Sequence, residues 1–137
     1  MKVLKLLPAI LLSLVIAGCS SNSTNESEIS APTSISGKTI KVTISSGSGG
    51  FASTGTADVV VSNTTNQYTI NGDGVNVVNS AGTFSYSSSG NKGTIAIDDS
   101  AFGKGNYNLT YTSTTSGTFT ADIEKYPSAT QSGSFKE

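Results

Sequence analysis

The chain predicts an all-β fold, a small antiparallel meander of about eight or nine short strands closing into a barrel, and three observations predict it. Apolar residues recur at every second position through most of the chain, which is the period of half-buried strands. Glycine- and asparagine-bearing turns separate these runs at hairpin-like spacing. No window carries the three-and-four spacing of an amphipathic helix.

The elements follow in order. Ile40, Val42 and Ile44 alternate with Thr39, Lys41 and Thr43 as the first strand. Val59 to Val61 is a continuous apolar run with no phase of its own. Tyr68 with Ile70, Val75 with Val77, Phe84 with Tyr86, and Ile95 with Ile97 come next. Tyr107, Leu109 and Tyr111, then Phe119, Ala121 and Ile123, and finally Phe135 complete the series, with a threonine-rich outer phase that suits strands.

Turn arithmetic tests these phases, because residues directly opposite each other in a hairpin share a face. A two-residue turn at Gly90-Asn91, of type II′ with glycine first, sets Phe84 against Ile97 and Tyr86 against Ile95. A four-residue loop Asn71-Gly72-Asp73-Gly74 sets Ile70 against Val75 and Tyr68 against Val77. A turn centred on Thr115, with Gly117 left-handed, sets Tyr111 against Phe119, Leu109 against Ala121 and Tyr107 against Ile123. Hairpins closing in phase favour an up-and-down barrel that shuts on the Ile40 to Ile44 strand. The alternative is an immunoglobulin-like β-sandwich, which needs longer connections between its sheets.

The motif Ser80-Ala81-Gly82-Thr83-Phe84 returns as Ser116-Gly117-Thr118-Phe119 and Ser132-Gly133-Ser134-Phe135. Its spacing is irregular, so it reads as a turn glycine followed by an inward aromatic, used three times, rather than as a tandem ligand element.

Residues 1–18 divide into a basic start with Lys2 and Lys5, an apolar run from Leu6 to Ala17, and small residues before the single cysteine. This is the pattern of a secretory signal, too short for a permanent membrane span. Its end, Ile16-Ala17-Gly18-Cys19, resembles the lipobox of bacterial lipoproteins. The resemblance implies acylation of Cys19, cleavage before it, and attachment to the membrane through that lipid; several acyl chains hold firmly where one does not. Ser20 rather than aspartate after the cysteine implies sorting to the outer membrane, with the periplasmic or the surface face left open.

Residues 19–36 are polar and nearly free of large apolar groups, so they read as the acylated cysteine and a flexible tether. Residues 37–137 are then the barrel domain, long enough for one modest core. Removing the leader leaves six lysines against nine acidic residues, and an exported domain without a thiol.

Composition excludes much chemistry. Among 137 residues there is no histidine, arginine or tryptophan, and Ser, Thr, Asn and Gly make up about half of the chain. The common nucleophile–histidine triads, histidine metal sites and arginine phosphate clamps are therefore unavailable. A formal charge of −1 with no basic cluster speaks against a nucleic-acid partner.

Asp98-Asp99 and the run from Asn71 through Asp73 to Asn76 offer oxygen ligands, but no glutamate closes a calcium loop, and the same residues serve ordinary turns. Adjacent Asp98 and Asp99 face opposite ways on a strand, while Asp122 and Glu124 take the outward phase, so no acid pair converges for hydrolysis. No enzyme activity, metal or cofactor is expected.

The aromatic set is the candidate site. Tyr68, Phe84, Tyr86, Tyr107, Tyr111, Phe119 and Phe135 share the inward phase, and a barrel would bring them together. They form either a pocket for a small apolar ligand, with tyrosine hydroxyls as polar handles, or the filled core usual in small eight-stranded barrels. Phe51, Phe102 and Tyr126 lie outside this set and are the residues available to a carbohydrate-binding or adhesive surface.

Residues 82–120 carry Gly82-Thr83-Phe84-Ser85-Tyr86, Gly93-Thr94-Ile95-Ala96-Ile97-Asp98-Asp99-Ser100, Tyr107-Asn108-Leu109-Thr110-Tyr111-Thr112-Ser113 and Ser116-Gly117-Thr118-Phe119-Thr120. This segment resembles exported bacterial proteins of the calycin type, the lipocalin and MoaF-like group. The resemblance implies a calycin-like barrel and brings no catalytic residue with it. The expected function is a non-enzymatic, outer-membrane-anchored binding or structural module for an unknown protein partner, with a carrier of a small hydrophobic ligand as the alternative and a surface adhesin third.

Overall fold

The structure, a computed structural model, describes residues 28–137. The leader at residues 1–18, Cys19 and the first part of the tether lie outside the described residues. Eight strands follow one another: β1 (Thr39–Gly47), β2 (Gly55–Val61), β3 (Gln67–Gly72), β4 (Ser80–Ser89), β5 (Lys92–Asp99), β6 (Gly103–Tyr111), β7 (Ser116–Ile123) and β8 (Tyr126–Lys136). Each pairs antiparallel with its neighbour in sequence, and β8 returns to β1, so the sheet closes as an up-and-down barrel. Closure removes the free edges that a sandwich would keep.

The alternation works as expected along most strands. Ile40, Ile44, Tyr68, Leu109, Tyr111, Phe119, Ala121, Ile123 and Phe135 are buried. The run at Val59 to Val61 acquires its phase from β1: Ile40 lies opposite Val59 and Val42 opposite Ala57, which turns Val60 outward. The polar outer face is the reverse of a membrane-spanning barrel, whose apolar band faces lipid.

Of the three hairpins read from turn arithmetic, one forms in the expected register. Phe84 pairs with Ile97 and Tyr86 with Ile95 across Gly90-Asn91. Gly90 has φ +55 while Asn91 has no positive φ, in keeping with a type II′ turn. The β6–β7 hairpin differs: Leu109 meets Phe119, Tyr107 meets Ala121, and Tyr111 meets Gly117. The loop closes one residue earlier because Thr112 and Ser113 both donate their N–H groups to the Ser116 carbonyl, and the even shift keeps every side chain on its expected face.

The β3–β4 connection differs more. Ile70 pairs with Ser80 and Tyr68 with Gly82, so Val75 and Val77 belong to a long loop, and Val75 is 86% exposed. The cause is Asp73, whose carboxylate accepts the N–H groups of Val75, Asn76 and Val77 at 2.8–3.0 Å and builds a compact turn where a strand was expected.

The repeated glycine–aromatic motif is likewise corrected. Gly82, Gly117 and Gly133 lie inside β4, β7 and β8 and have no positive φ, so they are not turn residues. They are gaps in the inner wall that neighbouring rings fill. Gly117 sits between Tyr111 and Phe135 in the cross-strand row, and those rings meet edge to face at 4.9 Å across it. A Cβ at Gly117 would collide with the Thr110 carbonyl and meet the Phe135 ring at 2.9 Å, and one at Gly133 would collide with the Thr43 carbonyl and meet the Phe119 ring at 2.8 Å, so both the neighbouring strand and the rings require glycine there. Alternating small and large residues is how a narrow barrel fills its taper.

The end of the expected tether is part of the fold. Ala31 and Ile35 are buried, the Ala31 N–H donates to the Gly90 carbonyl, the Tyr86 hydroxyl donates to the Pro32 carbonyl at 2.9 Å, and Gly37 donates to Ser62. The segment therefore crosses the end of the barrel where β4, β6 and β8 finish, and plugs it. Two apolar side chains in an otherwise polar stretch suffice, because the barrel supplies the surface that buries them.

Candidate functional site

Between the plugged end and the opposite mouth lies an interior space of about 220 Å³. It runs from Ile35 at the plug to Phe51 and Phe102 at the mouth, walled by Ile40, Val42, Val61, Leu109 and other aliphatic residues. Of the seven inward aromatics, Tyr68, Phe84, Tyr107, Phe119 and Phe135 line it. Tyr86 and Tyr111 do not: Tyr86 is tied to Pro32, and Tyr111 is buried against Phe135, with its hydroxyl 3.4 Å from the Glu137 carboxylate. Glu137 also pairs with Lys38, which helps lock the plugged end.

Three of the four loops at this end line the mouth. Residues 48–54 bring in Phe51, which is buried; Gly49 and Gly50, with φ +62 and +103, bend the backbone so that its ring turns inward. The β5–β6 turn brings Phe102, whose ring lies 6.0 Å from that of Phe51. The β3–β4 loop brings Asn76, Val77 and Val78 to the rim, with Val78 58% exposed. Phe51 and Phe102 thus cover the barrel rather than forming an exposed adhesive platform. Tyr126 is exposed, beside the Lys125 ammonium.

Two aspartates shape these loops. Asp98 and Asp99 face opposite ways, as expected, with Asp98 exposed and Asp99 buried. Asp99 accepts hydrogen bonds from the Tyr68 hydroxyl at 2.7 Å, the Ser80 hydroxyl at 2.9 Å, and the N–H groups of Ala101 and Phe102. The last two hold the turn that places Phe102 over the mouth. Asp73 does the equivalent for the exposed β3–β4 loop, and its N–H donors hold its carboxyl well below the usual carboxylate range. Both carboxylates are thus engaged by the protein's own donors; among the described residues no group of three acidic or thiol side chains converges as a metal site. Asp122 is on the outer face near Asn106, and Glu124 is exposed.

Polar groups reach the cavity at few points. Gln131 on β8 is buried, lines the space, and donates Nε2 to the Ala52 carbonyl at 3.1 Å. Tyr107 borders it from β6, its ring 5.8 Å from Phe119. Burial, and then the nearby Asp99 carboxylate, push the Tyr107 hydroxyl up to about 12; burial and the bond to Asp99 raise Tyr68 as well. At neutral pH both are uncharged, so neither is a ready base or nucleophile.

Sequence reasoning missed Gln131, Phe51, Phe102 and Ile35. For Gln131 a signal existed, since counting back by twos from Phe135 places residues 133, 131 and 129 on the inner face. The other three lie in loops or in the tether, where no periodicity operates. Compared with protein-family models, curated proteins and solved structures, the chain matches none of them.

Proposed function

We propose that this protein is a non-enzymatic, lipid-anchored binding module of the bacterial outer membrane whose barrel holds one small, largely apolar molecule. The observation that carries this is the interior space of about 220 Å³ with aliphatic and aromatic walls. A dry apolar cavity of about 150 Å³ in another protein takes up benzene, so this one suits a single substituted ring or a chain of about six to eight carbons. Anchoring rests on the leader, on Ile16-Ala17-Gly18-Cys19 and on Ser20. The absence of histidine and arginine from the sequence, together with aspartates engaged in holding loops, supports a role without catalysis.

Titration of the purified protein with toluene, followed by NMR shifts of the lining methyl groups, tests the cavity. Saturable shifts at Ile40, Val61 and Leu109 are expected, and shifts confined to exposed Val75 would refute ligand binding inside the barrel. Metabolic labelling of cells with an alkyne fatty acid tests the anchor: label is expected on the protein and lost in Cys19→Ala.

A further inference from the structure

We infer that the cavity is selective for an uncharged ligand with one hydrogen-bonding group, received between the Tyr107 hydroxyl and the Gln131 side-chain carbonyl, and that it excludes anionic amphiphiles of the same size. This rests on the ligand-binding function proposed above.

Tyr107, Ala121 and Gln131 form one cross-strand row on β6, β7 and β8, so all three face the same way, inward. Strand spacing puts the Tyr107 and Gln131 backbones roughly 10 Å apart, with the small, buried Ala121 between them. Gln131 uses its Nε2 on Ala52, while its Oε1 has no partner among the described residues. The Tyr107 hydroxyl likewise makes no hydrogen bond there. Yet every fully buried side-chain polar atom of the described residues has a partner. These two atoms therefore retain accessible surface, and both side chains line the cavity. The site presents a donor-and-acceptor hydroxyl and an acceptor carbonyl, which match an alcohol, a phenol or an amide.

Charge decides what the polar end cannot be. No lysine lines the cavity, and the Asp99 carboxylate is buried and bonded to Tyr68, which does line it. An entering carboxylate would lose its water, find no cation, and stand close to a like charge. Fatty acids and other organic anions are thereby disfavoured, although their tails would fit.

The test compares toluene, p-cresol and benzoate on the purified protein at pH 7.5 by NMR titration, in the wild type and in Tyr107→Phe and Gln131→Leu, with folding checked by circular dichroism. p-Cresol is expected to bind at least ten-fold more tightly than benzoate. Each variant that folds should weaken p-cresol about three- to ten-fold more than it weakens toluene. Equal affinity for benzoate and p-cresol, or p-cresol affinity untouched in both variants, would overturn the selectivity while toluene binding keeps the cavity function intact. Failure of toluene and p-cresol alike would overturn both.

Discussion

The two ends of this barrel are built from the same kinds of residue and reach opposite results. At the plugged end, Tyr111 and Phe135 interlock over Gly117, Ile35 and Ala31 seal the opening, and Glu137 ties the C-terminus to Lys38 and Tyr111. At the mouth, Phe51 and Phe102 meet at 6.0 Å, but they sit on loops, beside valines that remain exposed. An aromatic pair carried by strands of one sheet, here β6 and β8 on either side of β7, is fixed by ladder hydrogen bonds, whereas one on loops is only as rigid as the turns below it. That difference leaves one end as packed core and the other as a loop-built mouth.

The largest test substitutes the same residue type at each end. Phe135→Ala is expected to cost about 3–5 kcal/mol in urea denaturation, as for a fully buried ring, and half-buried Phe102→Ala only about 1–2 kcal/mol. Phe102→Ala should also speed ligand exchange, seen as narrowed NMR lines in the toluene titration. Equal costs would mean that the mouth is core as well.

Ile35→Ala comes next, at about 2–4 kcal/mol in the same assay, because Ile35 is 1% exposed. A cost under about 0.5 kcal/mol, the range of ordinary surface sites, would return residues 31–36 to the tether.

Alkaline pH tests the tyrosines between the two ends. An unfolded tyrosine ionises near 10, and folded Tyr107 is held up to about 12. Its contribution is therefore complete below pH 10, where both states are protonated, and is lost as pH rises from 10 through 12, about 2–3 kcal/mol in all. Denaturation midpoints across that range should fall less steeply in Tyr107→Phe.

The smallest effect belongs to the mouth loop. Asp73 has a lowered protonation range, so its support for the loop is present above the ordinary aspartate range and lost only as pH falls well below it. Asp73→Ala should speed hydrogen exchange at the Val75, Asn76 and Val77 amides and barely move the global midpoint; unchanged exchange would mean that the loop holds itself.

What was legible in the sequence divides along the same line. Wherever strands run, period-two alternation placed Ile40, Tyr107, Phe119 and Phe135 inward, and the Gly90-Asn91 turn set its register, because both depend on local geometry. Where loops build the mouth, Val75 was expected inward and is exposed, since an Asp73 turn competed with strand formation through side-chain hydrogen bonds that have no period. Five of the seven candidate pocket residues line the cavity; Tyr86 and Tyr111 share the phase but lie at the plugged level, and depth along a barrel is not encoded in alternation.

The sequence by itself determined an all-β meander, its inward faces and its poverty of catalytic groups, because side-chain period and composition are properties of the chain alone. Only the tertiary structure decided that the barrel is hollow, that residues 31–36 plug one end, and that strand glycines serve as sockets for rings. Each of these depends on the volume left when distant strands close on one another, and volume between strands is written in no single segment.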